Sequence, residues 1–303
     1  YLFTIIFILK DTKINGASFF DSNGHLSQVD SALKAATNGG NILAIKNISK
    51  NKIIAVLWSP IEPGIDVDYN NNNYNNNIQK LSDKLFFCGA GVAADVTFLC
   101  NRVFDEVLSH RHLFGSECMI DRLAATIASY MHESTLSMRH RPFGARILFL
   151  GLDESSSSRP GARLLELDPI GNCHDCILSC IGPYTEHIMK AINGDNNDNY
   201  RKNNLKTQKK VGIRVKGIDI LDILPSLYKN DDKDINHEDN IDFEDEIRLV
   251  GIVLDVMEEQ GLDVDEVKKQ ITVVRVDEKS AGPISNNNLH RIFQKIALKR
   301  KSE

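Results

Sequence analysis

Most of the sequence signatures that announce a chemistry are missing from this 303-residue chain. It holds no G-x-S-x-G elbow, no H-E-x-x-H pair and no P-loop with its lysine and hydroxyl. Gly89-Ala90-Gly91 is too short to cradle a phosphate. Basic excess is lacking too: 36 Lys and Arg stand against 41 Asp and Glu, a net charge of -5, so nothing in the overall charge attracts nucleic acid. Long apolar runs are absent. The opening YLFTIIFILK falls well short of the roughly 20 residues that span a bilayer. It also lacks the basic flank and small-residue cleavage site of a signal peptide. No membrane role is expected, and residues 1–17 are read as a segment of uncertain status outside the folded domain. The six cysteines form no disulfide framework; their scatter suits reduced, buried thiols in the cytoplasm and nucleus.

Two clusters are the residues from which chemistry would have to come. Cys173-His174-Asp175-Cys176, with Cys180 beyond, contains a C-x-x-C. A tetrahedral zinc site needs four ligands and no second pair follows at suitable spacing, while a redox pair would sit at a helix start. Buried structural cysteine is the reading. His110, Arg111, His112, His132, Arg139, His140 and Arg141 crowd the helical region and read as solvated positions at helix ends. The residues by themselves assemble no catalytic, cofactor or metal site.

The pattern of elements is more informative. After a turn at Asp21-Ser22-Asn23-Gly24, Val29, Ala32, Leu33 and Ala36 repeat at helical spacing. Ser27 and Asp30 form an S-x-x-D resembling a capping box, and Gly39-Gly40 stands at the expected stop. Residues 42–46 and 53–58 read as a hairpin. Residues 69–77 are almost all asparagine and read as an insertion. A strand at 84–88 turns at 89–91 into a helix striped by Val96, Leu99, Val103 and Val107. A second helix, striped by Ile120, Leu123, Ala124, Ile127, Ala128 and Met131, follows. Strands are expected at 146–153, 163–167 and 176–181, with a loop at 155–161, then a helix at 184–192. Residues 193–242 turn Asn-, Asp- and Lys-rich around a more apolar island at 211–228. A helix at 244–259, a strand at 270–276 and a helix at 288–298 complete the order, with a basic tail at 299–303.

Strands that come in hairpin groups argue against a parallel doubly wound sheet. The expected architecture is α+β: a four-layer α-β-β-α sandwich of two antiparallel sheets. It forms a single domain over 18–298, with insertions at about 66–80 and 193–242.

The motifs and their order resemble a proteasome alpha-type subunit. The resemblance rests on Phe20, Asp21-Ser22, Gly24, the helix start Gln28-Val29-Asp30-Ser31-Ala32, and Gly39-Gly40. It continues through the helix entry Gly89-Ala-Gly-Val-Ala-Ala-Asp95, through Arg141-Pro142-Phe143-Gly144 and Gly151-Leu-Asp153, and through Asp168-Pro-Ile-Gly171 with Ile181-Gly182. Phe98-Leu-Cys-Asn101 leans toward the eukaryotic alpha type 6. The resemblance implies an Ntn-hydrolase fold in a 20S core particle, where seven-membered alpha rings flank beta rings and an N-terminal threonine of certain beta subunits does the catalysis. It implies a non-catalytic ring subunit contributing to assembly and substrate access in ATP- and ubiquitin-dependent degradation. The partners are other alpha subunits, beta-ring subunits and regulatory particles or activators, and no cofactor is needed. The alpha signature is carried by Phe20, Gly24, Gln28, Val29, Ala32, Gly39, Gly40, Asp95, Arg141, Pro142 and Gly144. Three departures stand out: the gate's Tyr-Asp is missing near Lys13-Ile14, Ser22 and Ser31 replace its proline and tyrosine, and Ser59-Pro60-Ile61-Glu62 replaces a basic pair that captures ATPase-tail carboxylates. Two alternatives remain open, an active N-terminal-nucleophile hydrolase of the same fold and a diverged paralogue that does not assemble.

Overall fold

The computed structural model describes residues 20, 22–58, 78–137, 140–153, 161–193 and 243–302. Its elements run α1 (Ser27–Thr37), β1 (Asn41–Asn47), β2 (Lys52–Trp58), β3 (Ile78–Ser82), β4 (Leu85–Gly91), α2 (Ala93–Phe114), α3 (Ile120–Leu136), β5 (Ala145–Asp153), β6 (Gly161–Leu167), β7 (Cys173–Asp175), β8 (Leu178–Ile181), α4 (Thr185–Asn193), α5 (Glu244–Glu259), α6 (Val264–Gln270), β9 (Thr272–Val276), β10 (Ala281–Pro283) and α7 (Asn286–Ser302). The asparagine run, the apolar island at 211–228, the loop expected at 155–161 except Gly161, which opens β6, and the departures at 13–14 and 59–62 lie outside the described residues.

Two antiparallel five-stranded sheets form, in the orders β10-β9-β2-β1-β8 and β3-β4-β5-β6-β7. Alternation along each strand divides the apolar side chains between layers. Ile42, Ala44, Ile53, Ala55 and Leu57 meet Phe86, Cys88, Leu148, Leu150 and Leu164 between the sheets. Leu43, Ile45, Ile54 and Val56 face the other way, under α4, α5 and α7. Phe87, Ile147 and Phe149 face α2 and α3, whose predicted stripes are all buried. The four-layer α-β-β-α sandwich is therefore the fold. α5 is buried on almost every side, with Leu249, Ile252, Val253 and Val256 joining the expected Ile247, Val250, Leu254 and Met257.

Several local expectations give way. Ser27 does not cap α1: Leu26 holds the N-cap position with no side-chain bond, and Ser31 Oγ instead donates to the Ser27 carbonyl. The C-cap is Asn38, not a glycine. Ile78–Lys80, read as the end of an insertion, open β3, and β4 continues through Gly91, where a turn was expected. The strand expected at 176–181 begins only at Leu178, as β8, and an unexpected short strand, β7, precedes it in the other sheet. β7 pairs with β6 and β8 with β1, because the chain crosses between sheets at Cys176 and Ile177. Lys299 and Arg300, read as a tail, belong to α7. Finally, the Asn51 backbone takes a left-handed φ of 47° in the β1–β2 turn. Its side chain accepts from Ala162 N–H at 2.6 Å and donates to Glu278 at 3.0 Å, which ties the two sheets together at that end.

Candidate functional site

The opposite end of the sandwich carries the densest convergence of singled-out residues. α1 buries Val29, Ala32 and Ala36 and packs on β4 and β5. Its C-terminal side approaches those strands so closely that no side chain fits. A Cβ on Gly39 would stand 2.1 Å from the Gly91 nitrogen, and one on Gly91 would stand 2.2 Å from the Gly144 oxygen and 3.1 Å from the Ala36 Cα. Gly91 also holds φ at +123°. Gly39 is thus explained by backbone contact rather than by helix termination.

Asp95, in the first turn of α2, holds this junction from the side. It accepts from Arg141 Nη1 and Nη2, each at 2.7 Å, and from Gly144 N–H at 2.8 Å. Val92 N–H donates to the Gly144 carbonyl at 2.8 Å. Burial alone would raise the Asp95 carboxyl, but the bonds from Arg141 and Gly144, with the Arg141 charge, outweigh it and hold the group below the usual carboxylate range. The structure therefore brings Gly39, Asp95, Arg141 and Gly144 together around one junction beside Ala35 and Ala36 of α1, with Ala32 buried further along that helix and the Pro142 carbonyl also accepting from Arg141. Phe20 is 71% exposed, and Gly24 supplies a positive φ of 78° in the turn before α1. Gln28 is half-buried, and Gly40 leads directly into β1. Arg141, expected to be a solvated position, is largely exposed and is also an ion-pair partner across 46 residues of chain.

Just beyond Gly40, Asn41 begins β1, 2% exposed, and its amide finds no partner among the described residues. Gly182 presses against it: a Cβ there would lie 2.3 Å from Asn41 Oδ1. No hydroxyl or thiol stands at either position, and the chain runs unbroken from α1 into β1.

The space between the sheets is partly polar. Arg146 donates to Glu166 at 2.7 Å and Ser179 Oγ donates to the other Glu166 oxygen at 2.9 Å, all three buried. Burial pushes the Glu166 carboxyl up, against the pull of Arg146 and Ser179. Nearby, Asp175 pairs with Lys46 at 2.8 Å and Arg163 with Asp121 at 2.6 Å. Sequence reasoning passed over these groups. The available signal was charge at strand positions whose neighbours two residues away are apolar.

The cysteine cluster is split by the sheet crossing. Cys176 faces the layer between the sheets and Cys180 faces α4 and α5, while Cys173 is exposed. Burial pushes the Cys176 and Cys180 thiols up to about 12. His132 Nδ1 lies 3.1 Å from the Ile170 carbonyl, and His110 is buried, 3.2 Å from the Ser116 carbonyl, rather than solvated.

A second feature lies on the outer face of the α2–α3 pair. Phe98 stacks on Phe143 at 5.8 Å and on Tyr130 at 6.2 Å between ring centres, and Arg102 lies over the Tyr130 ring at 5.5 Å. Phe98 is 49% exposed, and it lines an open hollow of about 300 Å³ with Asn101, Arg102, Asp105 and Tyr130.

Residues 67–213 match the family model described as Proteasome subunit. That span is just under half of the chain, and over it the chain is similar to proteasome subunits. Its relatives are alpha subunits. It is 25% identical over 156 residues to Proteasome subunit alpha type-1 of Dictyostelium discoideum, an alignment covering 52% of this chain and 58% of that one. Proteasome subunit alpha type-3 of the same organism is 30% identical over 156 residues, covering the same two shares. Proteasome subunit alpha type-4-like of Drosophila melanogaster is 25% identical over 210 residues, 67% of this chain and 80% of that one. The chain spans about three fifths of the length of the first relatives it matches. Those relatives carry several type numbers, so type 6 is not singled out. α1, β1 and β2 precede the residues matched by the family model.

Proposed function

We propose that this chain is a non-catalytic ring subunit of a 20S proteasome core, working through ring assembly and substrate access rather than through bond cleavage. The observation that carries the reading is α1. It is wedged by backbone contact over the end where β1 begins, and an unbroken chain leads from it into a β1 whose first residue is Asn41. An N-terminal nucleophile needs a free amine beside a hydroxyl or thiol at that point. Asn41 supplies neither, which counts against the alternative of an active hydrolase of the same fold. The partners are other alpha subunits, beta-ring subunits and regulatory particles, in the cytoplasm and nucleus. Free cysteines support a reducing compartment. The stacked Phe98, Tyr130 and Phe143 with Arg102 support association, because rigid exposed aromatics beside arginine are the composition of interface hot spots.

Native mass spectrometry of the chain isolated with its complexes tests this. Recovery with other alpha and beta subunits, with α1 intact, is the expected result. Replacing Phe98 and Tyr130 by alanine should reduce incorporation by about tenfold or more, as hot-spot truncations do. Recovery only as a monomer, or a mature chain beginning near Asn41, would overturn the reading.

A further inference from the structure

Among the described elements α7 is strongly basic, and residues 201–216 are a second basic stretch of the sequence. Its 17 residues include Arg291, Lys295, Lys299, Arg300 and Lys301 and no acid. Without those five, the remaining 31 Lys and Arg face 41 Asp and Glu. One side of α7 is explained: Ile292 and Ile296 are buried against α5, and Arg300 pairs with Asp255 and with Glu258, the latter at 3.0 Å. The outer side is not explained. Arg291, Lys295 and Leu298 recur at i, i+4 and i+7, all exposed, with His290 and Gln294 beside them. Leu298 is 68% exposed.

Three ordinary reasons for such cations fail here. Five of the six acids of α5 are already engaged, Glu244 by Arg248, Asp245 by Lys50 and Lys52, Glu246 by Lys52 and Arg275, and Asp255 and Glu258 by Arg300, and the sixth, Glu259, has no ion pair with Arg291 or Lys295. The helix dipole acts only within the last turn, and Arg291 and Lys295 sit in the second and third turns. Spaced four apart, the two cations repel one another and weaken the helix rather than support it.

We propose that the outer face of α7 docks an acidic segment of a partner protein, one whose carboxylates meet Arg291 and Lys295 and whose apolar side chain covers Leu298. Charge complementarity selects the partner. The two cations lie about 6 Å apart along the axis and the whole stripe runs about 10 Å, the reach of a few residues of peptide. A nucleic-acid backbone fits less well, since two exposed cations beside the apolar Leu298 are few against the run of phosphate contacts that such binding uses. The inference does not depend on the ring-subunit reading.

The test is fluorescence anisotropy of a fluorescein-labelled peptide of Glu-Glu-Leu repeats against the full chain. Charge-matched single-stranded DNA and phosphatidylserine vesicles serve as competing probes. Saturable binding that weakens with salt is expected, together with a loss of about tenfold in R291E/K295E and a smaller loss in L298A. R291Q/K295Q gives the same readout should the reversed charges unfold the chain, and thermal melts report folding for both. The proposal is overturned if the peptide does not bind. It is also overturned if folded variants bind as the parent does, or if DNA or vesicles bind as tightly as the peptide.

Discussion

Replacing Gly39 with alanine tests the junction at α1 most directly. The added methyl would stand 2.1 Å from the Gly91 nitrogen, and the space around Gly91 is close too, since a Cβ there would meet the Gly144 carbonyl and the Ala36 Cα. Carbon and nitrogen must separate by more than 3 Å, so one backbone has to move by about an ångström, and overpacking of that kind costs ~1–3 kcal/mol or more. The competing outcome is that α1 lets go. Its docking rests mainly on Val29, Ala32 and Ala36, worth ~3–4 kcal/mol together at ordinary burial values. The two figures are comparable, so the strain should be relieved by undocking α1 and not by unfolding the sandwich, whose layers hold far more apolar surface. Hydrogen exchange should therefore speed up by about two decades for the amides of Ser27–Thr37, since ~1.4 kcal/mol is tenfold. The urea midpoint read by the single tryptophan, Trp58, buried in β2, should move little. Unchanged exchange in α1 would refute the close-approach explanation, and a collapse of the whole transition would refute the idea that α1 releases alone.

Other outcomes follow from the same geometry. Arg141→Ala leaves the Asp95 carboxylate with only the Gly144 N–H among its bonds described above and should cost about 1–2 kcal/mol in a urea melt, the guanidinium being largely exposed. Because Asp95 is held below its usual value, its contribution is present above the unfolded carboxylate range and is lost as pH falls through the lower folded value. Melts of Asp95→Asn should show a flatter acid limb than the parent. Asn51→Ala forfeits both the tolerance for φ 47° and two hydrogen bonds, and should cost about 2 kcal/mol. Asn51→Gly, which keeps the backbone freedom, should cost less by thermal denaturation. A thiol reagent at neutral pH should titrate Cys173 before Cys88, Cys176 and Cys180, which react only after urea; early labelling of Cys176 would contradict its burial.

Helical stripes were the most legible part of the sequence. Val96, Leu99, Val103 and Val107 all point inward, because a 3.6-residue repeat records burial directly. Hairpin grouping likewise gave the antiparallel sheets. What periodicity cannot record is which sheet a strand joins, and so the run at 176–181 hid a crossing between sheets. Gly39 looked like a helix stop because glycine has that job so often; that another backbone passes within van der Waals contact is a tertiary fact. The ion pair from Asp95 to Arg141 was invisible for the same reason, although both residues stood out through the motifs around them. Buried charge in strands, as at Lys46, Arg146 and Glu166, was readable as an anomaly, but the partners that make it tolerable lie far away in sequence.

The first turn of α5 carries one more consequence. Asp245 and Glu246 sit almost fully buried against Lys52, with Lys50 and Arg275 completing the cluster. Those contacts fix where α5 starts on its sheet whatever the length of the chain that delivers it. Doubling a connecting loop adds only about 0.6 kcal/mol of closure cost. A helix pinned at its first turn thus makes the stretch upstream of it a place where insertions and deletions can accumulate over evolutionary time without disturbing the sandwich.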